Sequence, residues 1–281
     1  MEYFRNLNNS RNNSIESIKI SYDLQAGTYI ETYKNNRAFV DLYTGAIAEL
    51  IEGLGNHQSV LEAGVGEATT LANVIEKMKN PPVAACGFDI SWSRINCAKA
   101  FAASKNVSTD WLFTGDLFNI PLKDNSVDVV YTSHSIEPNG GREKEAIQEL
   151  YRIASKYLVL LEPAYELASD EAKARMEHHG YVRGLKATAE QLGYKVVEYR
   201  LFDYTINPLN PTGLLIIEKD TAATPVSPQF VCPITGGALE RSGDCYYGNE
   251  SLMAYPIIGG VPCLLAENGI LASGFNKPIT L

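Results

Sequence analysis

Short apolar runs alternate along this chain with stretches whose apolar residues recur every three or four positions. The runs ending at Glu62, Val83 to Phe88, Trp111 to Thr114, Val127 to Thr132 and Tyr157 to Leu161 have the length and composition of buried strands. Between them, Leu71, Val74, Ile75 and Met78 fall at i, i+3, i+4 and i+7 and predict a helix with one buried stripe. Trp92, Ile95, Ala98 and Ala102 mark a second helix, and Ile147, Leu150, Tyr151 and Ala154 a third. A longer helical region, about 170–192, precedes the strands Lys195 to Leu201 and Gly213 to Glu218. Alternation of this kind predicts a doubly wound α/β domain with a largely parallel sheet. Ahead of it stand the segment Tyr22 to Tyr29 and a helical stretch, Phe39 to Leu54.

The polar residues that interrupt this pattern gather at strand ends. The first strand closes on Glu62-Ala-Gly64-Val-Gly66 and runs directly into a helix. Glycines there let the backbone turn tightly and approach a ligand that a Cβ would obstruct. The acidic residue two positions before the first glycine, and Ala68 in place of a third glycine, depart from the dinucleotide fingerprint. A carboxylate beside the loop repels pyrophosphate and suits a cationic ligand. Asp89 ends the second strand, where open α/β sheets bind ligands and where a carboxylate can accept both hydroxyls of a ribose. An aspartate at such a place is also a common helix N-cap, so it is the joint occurrence that points to a site. Gly115-Asp116-Leu117 follows the third strand, and Ser133-His134-Ser-Ile-Glu137 the fourth. Acidic residues at three successive strand ends suit a cationic adenosine compound.

The order Glu62-Ala-Gly64-Val-Gly66, Asp89, Gly115-Asp116-Leu117-Phe-Asn-Ile-Pro121-Leu-Lys-Asp-Asn-Ser-Val-Asp128 resembles the class I S-adenosylmethionine-dependent methyltransferases over roughly residues 20–218. That resemblance implies a Rossmann-like, seven-stranded sheet with the last strand antiparallel, and S-adenosyl-L-methionine as cofactor. By the same likeness Glu62 holds the methionine ammonium and the Gly64 to Gly66 backbone packs on the cofactor. Asp89 binds the ribose with Ile90 beside the adenine, Asp116 accepts from the adenine amino group, and Leu117 covers the ring or donates its backbone N–H. Tyr-containing N-terminal segments close over the cofactor in small-molecule methyltransferases, which makes Tyr22 and Tyr29 lid candidates, with ordinary packed tyrosines as the alternative. Ser133 is assigned to the cofactor, and His134 and Glu137 to the methyl-facing end. His134 is there either a general base or a pocket-lining hydrogen-bonding residue. Tyr165, His178 and His179 are further candidates to complete or replace it. No Asn-Pro-Pro-Tyr run follows the fourth strand, which counts against amide and adenine nitrogen as the methyl acceptor.

With 281 residues, 45% hydrophobic and 20% charged, the chain has material for one large core and a small extra module. No stretch approaches the roughly 18 consecutive apolar residues of a membrane span, and the Asn-rich Met1 to Ser14 lacks an apolar signal core. Five scattered cysteines fit a reducing compartment, so a cytoplasmic location is expected. A net charge of −9, from 24 basic and 33 acidic residues, disfavours a large nucleic-acid substrate.

Thr221 to Pro228 is a small-residue, proline-bearing linker. It divides the chain into an N-terminal arm with lid helices (1–54), the cofactor domain (55–220) and a C-terminal module (228–272). Phe230-Val-Cys232-Pro-Ile-Thr-Gly236-Gly-Ala-Leu239 and Ala254-Tyr-Pro-Ile-Ile-Gly259-Gly-Val-Pro262-Cys-Leu-Leu265 resemble the small zinc-ribbon-like proteins that activate tRNA, rRNA and release-factor methyltransferases. Thr235 stands at the second knuckle position and a later ligand position falls near Gly248, so Cys232, Cys245 and Cys263 do not restore zinc spacing. A metal-free, β-rich cap or docking surface is expected. Only the three thiols with an outside ligand would keep zinc. The expected function is methyl transfer to a small or medium-sized metabolite, with a homo-oligomer or a protein partner engaging the C-terminal module. The alternatives are methylation of tRNA or of a translation-related protein, and a cofactor-binding scaffold without catalysis.

Overall fold

The computed structural model describes residue 3, residues 13–219 and residues 227–276; most of the Asn-rich start and of the expected linker lies outside them. The apolar runs become β1 (Ser59–Ala63), β2 (Ala84–Asp89), β3 (Trp111–Thr114), β4 (Val127–Ser133), β5 (Ala154–Pro163), β6 (Lys195–Leu201) and β7 (Thr212–Glu218). They form one sheet in the order β3-β2-β1-β4-β5-β7-β6. β1 to β5 are mutually parallel, whereas β7 runs antiparallel to both β5 and β6. Strand order turns back between β1 and β4, and such a switch point opens a crevice at the carboxyl ends of the strands.

Successive side chains leave a strand on opposite faces, so one sheet feeds two cores. Val60, Ala85, Leu112 and Val129 face one side. There they meet Ile47 and Ile51 of α3 (Arg37–Gly53), Leu71 and Val74 of α4 (Leu71–Lys77), and Ile95 and Ala98 of α5 (Trp92–Ser104). Leu61, Cys86, Phe113 and Val130 face the other. Their cover comes from Ile147 and Leu150 of α6 (Glu143–Ile153) and from Leu185 and Ala189 of α8 (Leu185–Gln191). Two helices precede this framework, α1 (Ile15–Asp23) and α2 (Thr28–Asn35).

The expected helix at 170–192 is divided. α7 (Asp170–His179) stops at Gly180 and α8 begins after Gly184, both glycines having φ near the left-handed region, at 68° and 67°. Gly180 is the left-handed C-cap that ends many helices, a signal already present in the sequence. Ala154 was expected on the third helix's stripe but opens β5, because its apolar side chain serves either element equally well.

Residues beyond the linker build β8 (Glu240–Ser242), β9 (Cys245–Gly248), β10 (Met253–Ile258), β11 (Val261–Pro262) and β12 (Ile270–Leu271), all paired antiparallel. This small sheet covers the part of the second core that α6 and α8 leave open. Phe230 sits between Trp111, Phe113 and Tyr246, with ring centroids 4.9, 5.0 and 4.9 Å away. Thr114 at the outer edge of β3 pairs in parallel with Cys263, and Leu264 donates its N–H to the Thr114 carbonyl at 3.2 Å. An edge strand that would otherwise offer free backbone groups is thereby closed. The Cys232 thiol meets the Tyr255 hydroxyl at 3.4 Å, and among the described residues no three His, Cys, Asp or Glu side chains gather as a metal site.

Phe230→Ala should therefore destabilise the whole protein by about 3 to 5 kcal/mol, the usual cost of deleting a buried ring. Denaturant unfolding measures it, and a loss below about 1 kcal/mol would show that the module does not share the sheet's core.

Candidate active site

The carboxyl ends of β1, β2 and β3 each carry an acid, and the turns that follow are shaped around them. Gly64 and Gly66 adopt φ of 68° and 53°, and Ala68 takes the same left-handed conformation at 56°. A Cβ at Gly64 would lie 2.3 Å from the Ser135 Cβ, so this glycine is required by the loop after β4. Asp89 accepts from the Gly66 N–H at 3.1 Å and the Ser91 N–H at 2.9 Å, which locks the first two turns together. Asp116 accepts from the Phe118 N–H at 2.9 Å.

Tyr22, Tyr29, Glu62, Gly64, Gly66, Asp89, Ile90, Asp116, Leu117, Ser133 and His134 all line one cavity. Glu137, Tyr165, His178 and His179 do not line it. Burial pushes the Glu62 carboxyl up to about 8, with Asp89 adding to the effect, while the Tyr131 hydroxyl and the Leu71 N–H oppose it. Tyr131 donates to Glu62 at 2.9 Å. Burial likewise raises Asp89, against Arg94 and three backbone donors, and raises Asp116. Three acids raised by burial around one cavity fit a ligand that brings positive charge and hydrogen-bond donors.

The roof is fixed by two acids whose roles were not read from the sequence. Glu67, 1% exposed, accepts from the N–H groups of Gly27, Tyr29 and Ile30 at 2.9, 3.3 and 2.8 Å, capping the start of α2. Asp23, at the end of α1, accepts from the Ser91 hydroxyl at 2.6 Å and the Ser93 N–H at 3.3 Å. Each ties a helix of the roof to a turn of the cavity. The one available signal was Glu67 itself, a charged residue inside a turn of small and apolar neighbours.

At the far end, His134 has φ of 53° and both ring nitrogens engaged, Nδ1 with Glu137 Oε2 at 2.6 Å and Nε2 with Thr212 Oγ1 at 2.8 Å. Burial disfavours its charged form, yet Glu137 more than offsets this and the imidazole titrates above its ordinary value. Glu137 is correspondingly lowered, burial being outweighed by His134 and Asn210. Glu162 holds the loop from behind, accepting from the N–H groups of Ser135, Ile136 and Glu137 at 3.0, 3.2 and 3.0 Å. Ser133 meets the Tyr43 hydroxyl at 2.8 Å.

Residues 60–156 match the family described as a methyltransferase domain. Magnesium protoporphyrin IX methyltransferase from Synechocystis PCC 6803, with bound SAH, is similar at a TM-score of 0.56 and 15% identity over 72% of this chain and 99% of that one. The same enzyme with bound SAM gives 0.52 and 15% over 74% and 100%. A methyltransferase of Methanococcus maripaludis described as S-adenosyl-L-methionine-dependent gives 0.51 and 16% over 72% and 95%. At these identities the structures share a fold with this chain. Residues 60–156 thus match a methyltransferase domain, and the chain shares the fold of S-adenosylmethionine-dependent methyltransferases.

Two outcomes follow from this geometry. Glu67→Ala should raise amide exchange across Thr28–Asn35 while leaving β1 and β4 protected, since it removes three bonds at one helix start; unchanged exchange would show that α2 is held otherwise. Glu137→Gln should lower the His134 titration followed by proton NMR, because the charge that favours imidazolium is gone. The raised His134 stabilises until pH rises through its folded pKa and the lowered Glu137 until pH falls through its own, so the variant should lose stability chiefly in the window between the two titrations.

Proposed function

Taking residues 60–156 as a methyltransferase domain, we propose that S-adenosylmethionine lies in the cavity beneath α1 and α2 and that its methyl is passed to a small or medium-sized metabolite. The arrangement that carries this reading is the set of raised carboxylates at three successive strand ends, Glu62 and Asp89 buried and Asp116 half-buried, all facing one tyrosine-roofed cavity. Glu62 holds the ammonium end, Asp89 the ribose and Asp116 with Leu117 the adenine. The cofactor supplies the activated methyl when bound. The protein's part is alignment and exclusion of water, which the tethered lid and the loop after β4 provide.

The acceptor end is assigned to His134 and Ser135, with Ser133 kept on the cofactor. With Nδ1 and Nε2 both hydrogen-bonded, His134 is assigned the positioning role, holding the loop between Glu137 and Thr212. A metabolite acceptor suits the tethered roof and the overall charge of −9 better than a polyanionic RNA.

Isothermal calorimetry with S-adenosylmethionine and S-adenosylhomocysteine, with NAD as control, tests the reading. Binding of both sulfur compounds without NAD is the expected result; binding of neither overturns it. Asp89→Ala and Asp116→Ala should each cost about 1.5 to 3 kcal/mol of affinity, the worth of a charged hydrogen bond. Glu62 must ionise to pair with an ammonium, so a carboxyl raised to about 8 makes binding release a proton at lower pH. Affinity for S-adenosylhomocysteine should fall by up to about tenfold per pH unit below that value, and Glu62→Gln should abolish the slope.

A further inference from the structure

Arg94, from the first turn of α5, is 4% exposed and lines the same cavity. Its guanidinium stacks on both lid tyrosines, 4.8 Å from the Tyr22 ring centroid and 4.2 Å from that of Tyr29. It reaches the turn after β1, where a Cβ on Gly66 would come within 3.4 Å of it. The Asp89 carboxylate lies 3.9 Å from Nη1, an ion pair but longer than a hydrogen bond. Nε and Nη2 are buried and have no hydrogen-bond partner among the described residues. Leaving such donors unpaired is costly, more so for a charged group.

The ligand proposed above carries one anionic group, which the three acids cannot serve. Glu62, Asp89 and Asp116 face an ammonium, a ribose and an adenine amino group, all donors. The cofactor's carboxylate is an acceptor and needs donors in its turn. Among the residues lining the cavity, Arg94 is the one guanidinium, and it stands at the Gly66 turn, whose backbone packs on the cofactor in the proposed reading. A guanidinium presents its donors in a planar fork that matches a carboxylate. Resting on the proposed function, we propose that Arg94 receives the carboxylate of the cofactor's amino-acid end. The stacking of Tyr22 and Tyr29 on the same guanidinium fixes its plane and couples that contact to the roof.

Calorimetry on the whole protein separates this from a packing role. Wild-type protein should bind S-adenosylhomocysteine at least roughly tenfold more tightly than its decarboxylated analogue, which keeps the amine, a comparison that needs no variant. Arg94→Met should lose roughly tenfold to a hundredfold in affinity for S-adenosylhomocysteine. It should leave 5′-methylthioadenosine, which lacks the amino-acid end, unchanged, and Arg94→Lys should recover part of the loss. Equal losses on both ligands, or no loss on either, would overturn the assignment of Arg94 while leaving the cofactor reading intact. Equal wild-type affinity for the carboxylated and decarboxylated compounds would overturn it independently. Failure of the wild type to bind S-adenosylhomocysteine at all would overturn the cofactor reading and this proposal with it.

Discussion

The structure depends on burying carboxylates at the ends of parallel strands. Removing an acid from water is expensive unless it neutralises or finds donors, and here the acids do some of each. Glu62 lies on β1, flanked on both sides by strands, and is 2% exposed; burial dominates and holds its carboxyl at about 8. Asp89 is bonded by two N–H groups from neighbouring turns and is still raised. The sheet places these acids away from bulk solvent, where burial raises their carboxyls, a cost that the cationic, donor-rich ligand proposed above would offset. A site of this kind gains affinity by discharging a strain already present, with little rearrangement of the scaffold.

The same residue type also builds the frame, and the partners tell the two uses apart. Glu67 and Glu162 each gather three backbone N–H groups from a single turn, and neither lines the cavity. Their carboxylates stand in for the missing backbone acceptors of a helix start and of the loop after β4. Glu62, Asp89 and Asp116 retain a face toward the cavity. The loop after β4 shows what this support permits: a histidine in a left-handed conformation, usually left to glycine or asparagine, held through backbone, both ring nitrogens and Glu162.

Most of the sheet was legible because its strands are continuous apolar runs, the pattern of a strand buried on both faces. The acids at strand ends were legible as interruptions of that pattern. Glu162 obeys the same rule, at the end of the run Tyr157 to Leu161, yet was passed over because no glycine turn marks it. Arg94 and Asp23 gave no such signal. Each sits in an ordinary amphipathic helix, and its role comes from a neighbour distant in sequence, Tyr22 and Tyr29 for one, Ser91 for the other. Helical periodicity reports which side of a helix is buried. It carries no information about which polar group meets which across a tertiary contact.

The C-terminal module is bound to the site by continuity of packing. Phe230, Cys232, Leu239, Tyr255 and Leu264 belong to the same core as Phe88, Phe113 and Leu122. Beyond β3 the chain must place Asp116 and Leu117, and the segment that follows them is held from two sides: α6, where Glu149 accepts from the Ile120 N–H at 2.7 Å and Arg152 donates to the Ile120 and Leu122 carbonyls at 2.8 and 2.7 Å, and this module. Asn119 donates to the Pro233 carbonyl at 2.7 Å, Val231 donates to Pro121 at 3.1 Å, and Lys123 donates to Gln229 at 3.0 Å. On the opposite side of the cavity the roof reaches the same module, through Lys19 of α1 and Glu267 at 2.9 Å. A surface ion pair of that kind contributes little, whereas the shared core and the backbone bonds contribute much. The adenine end of the proposed site is therefore set by α6 and the small sheet together, and loss of packing at Phe230 would reach Asp116 through the Leu122 and Pro121 backbone.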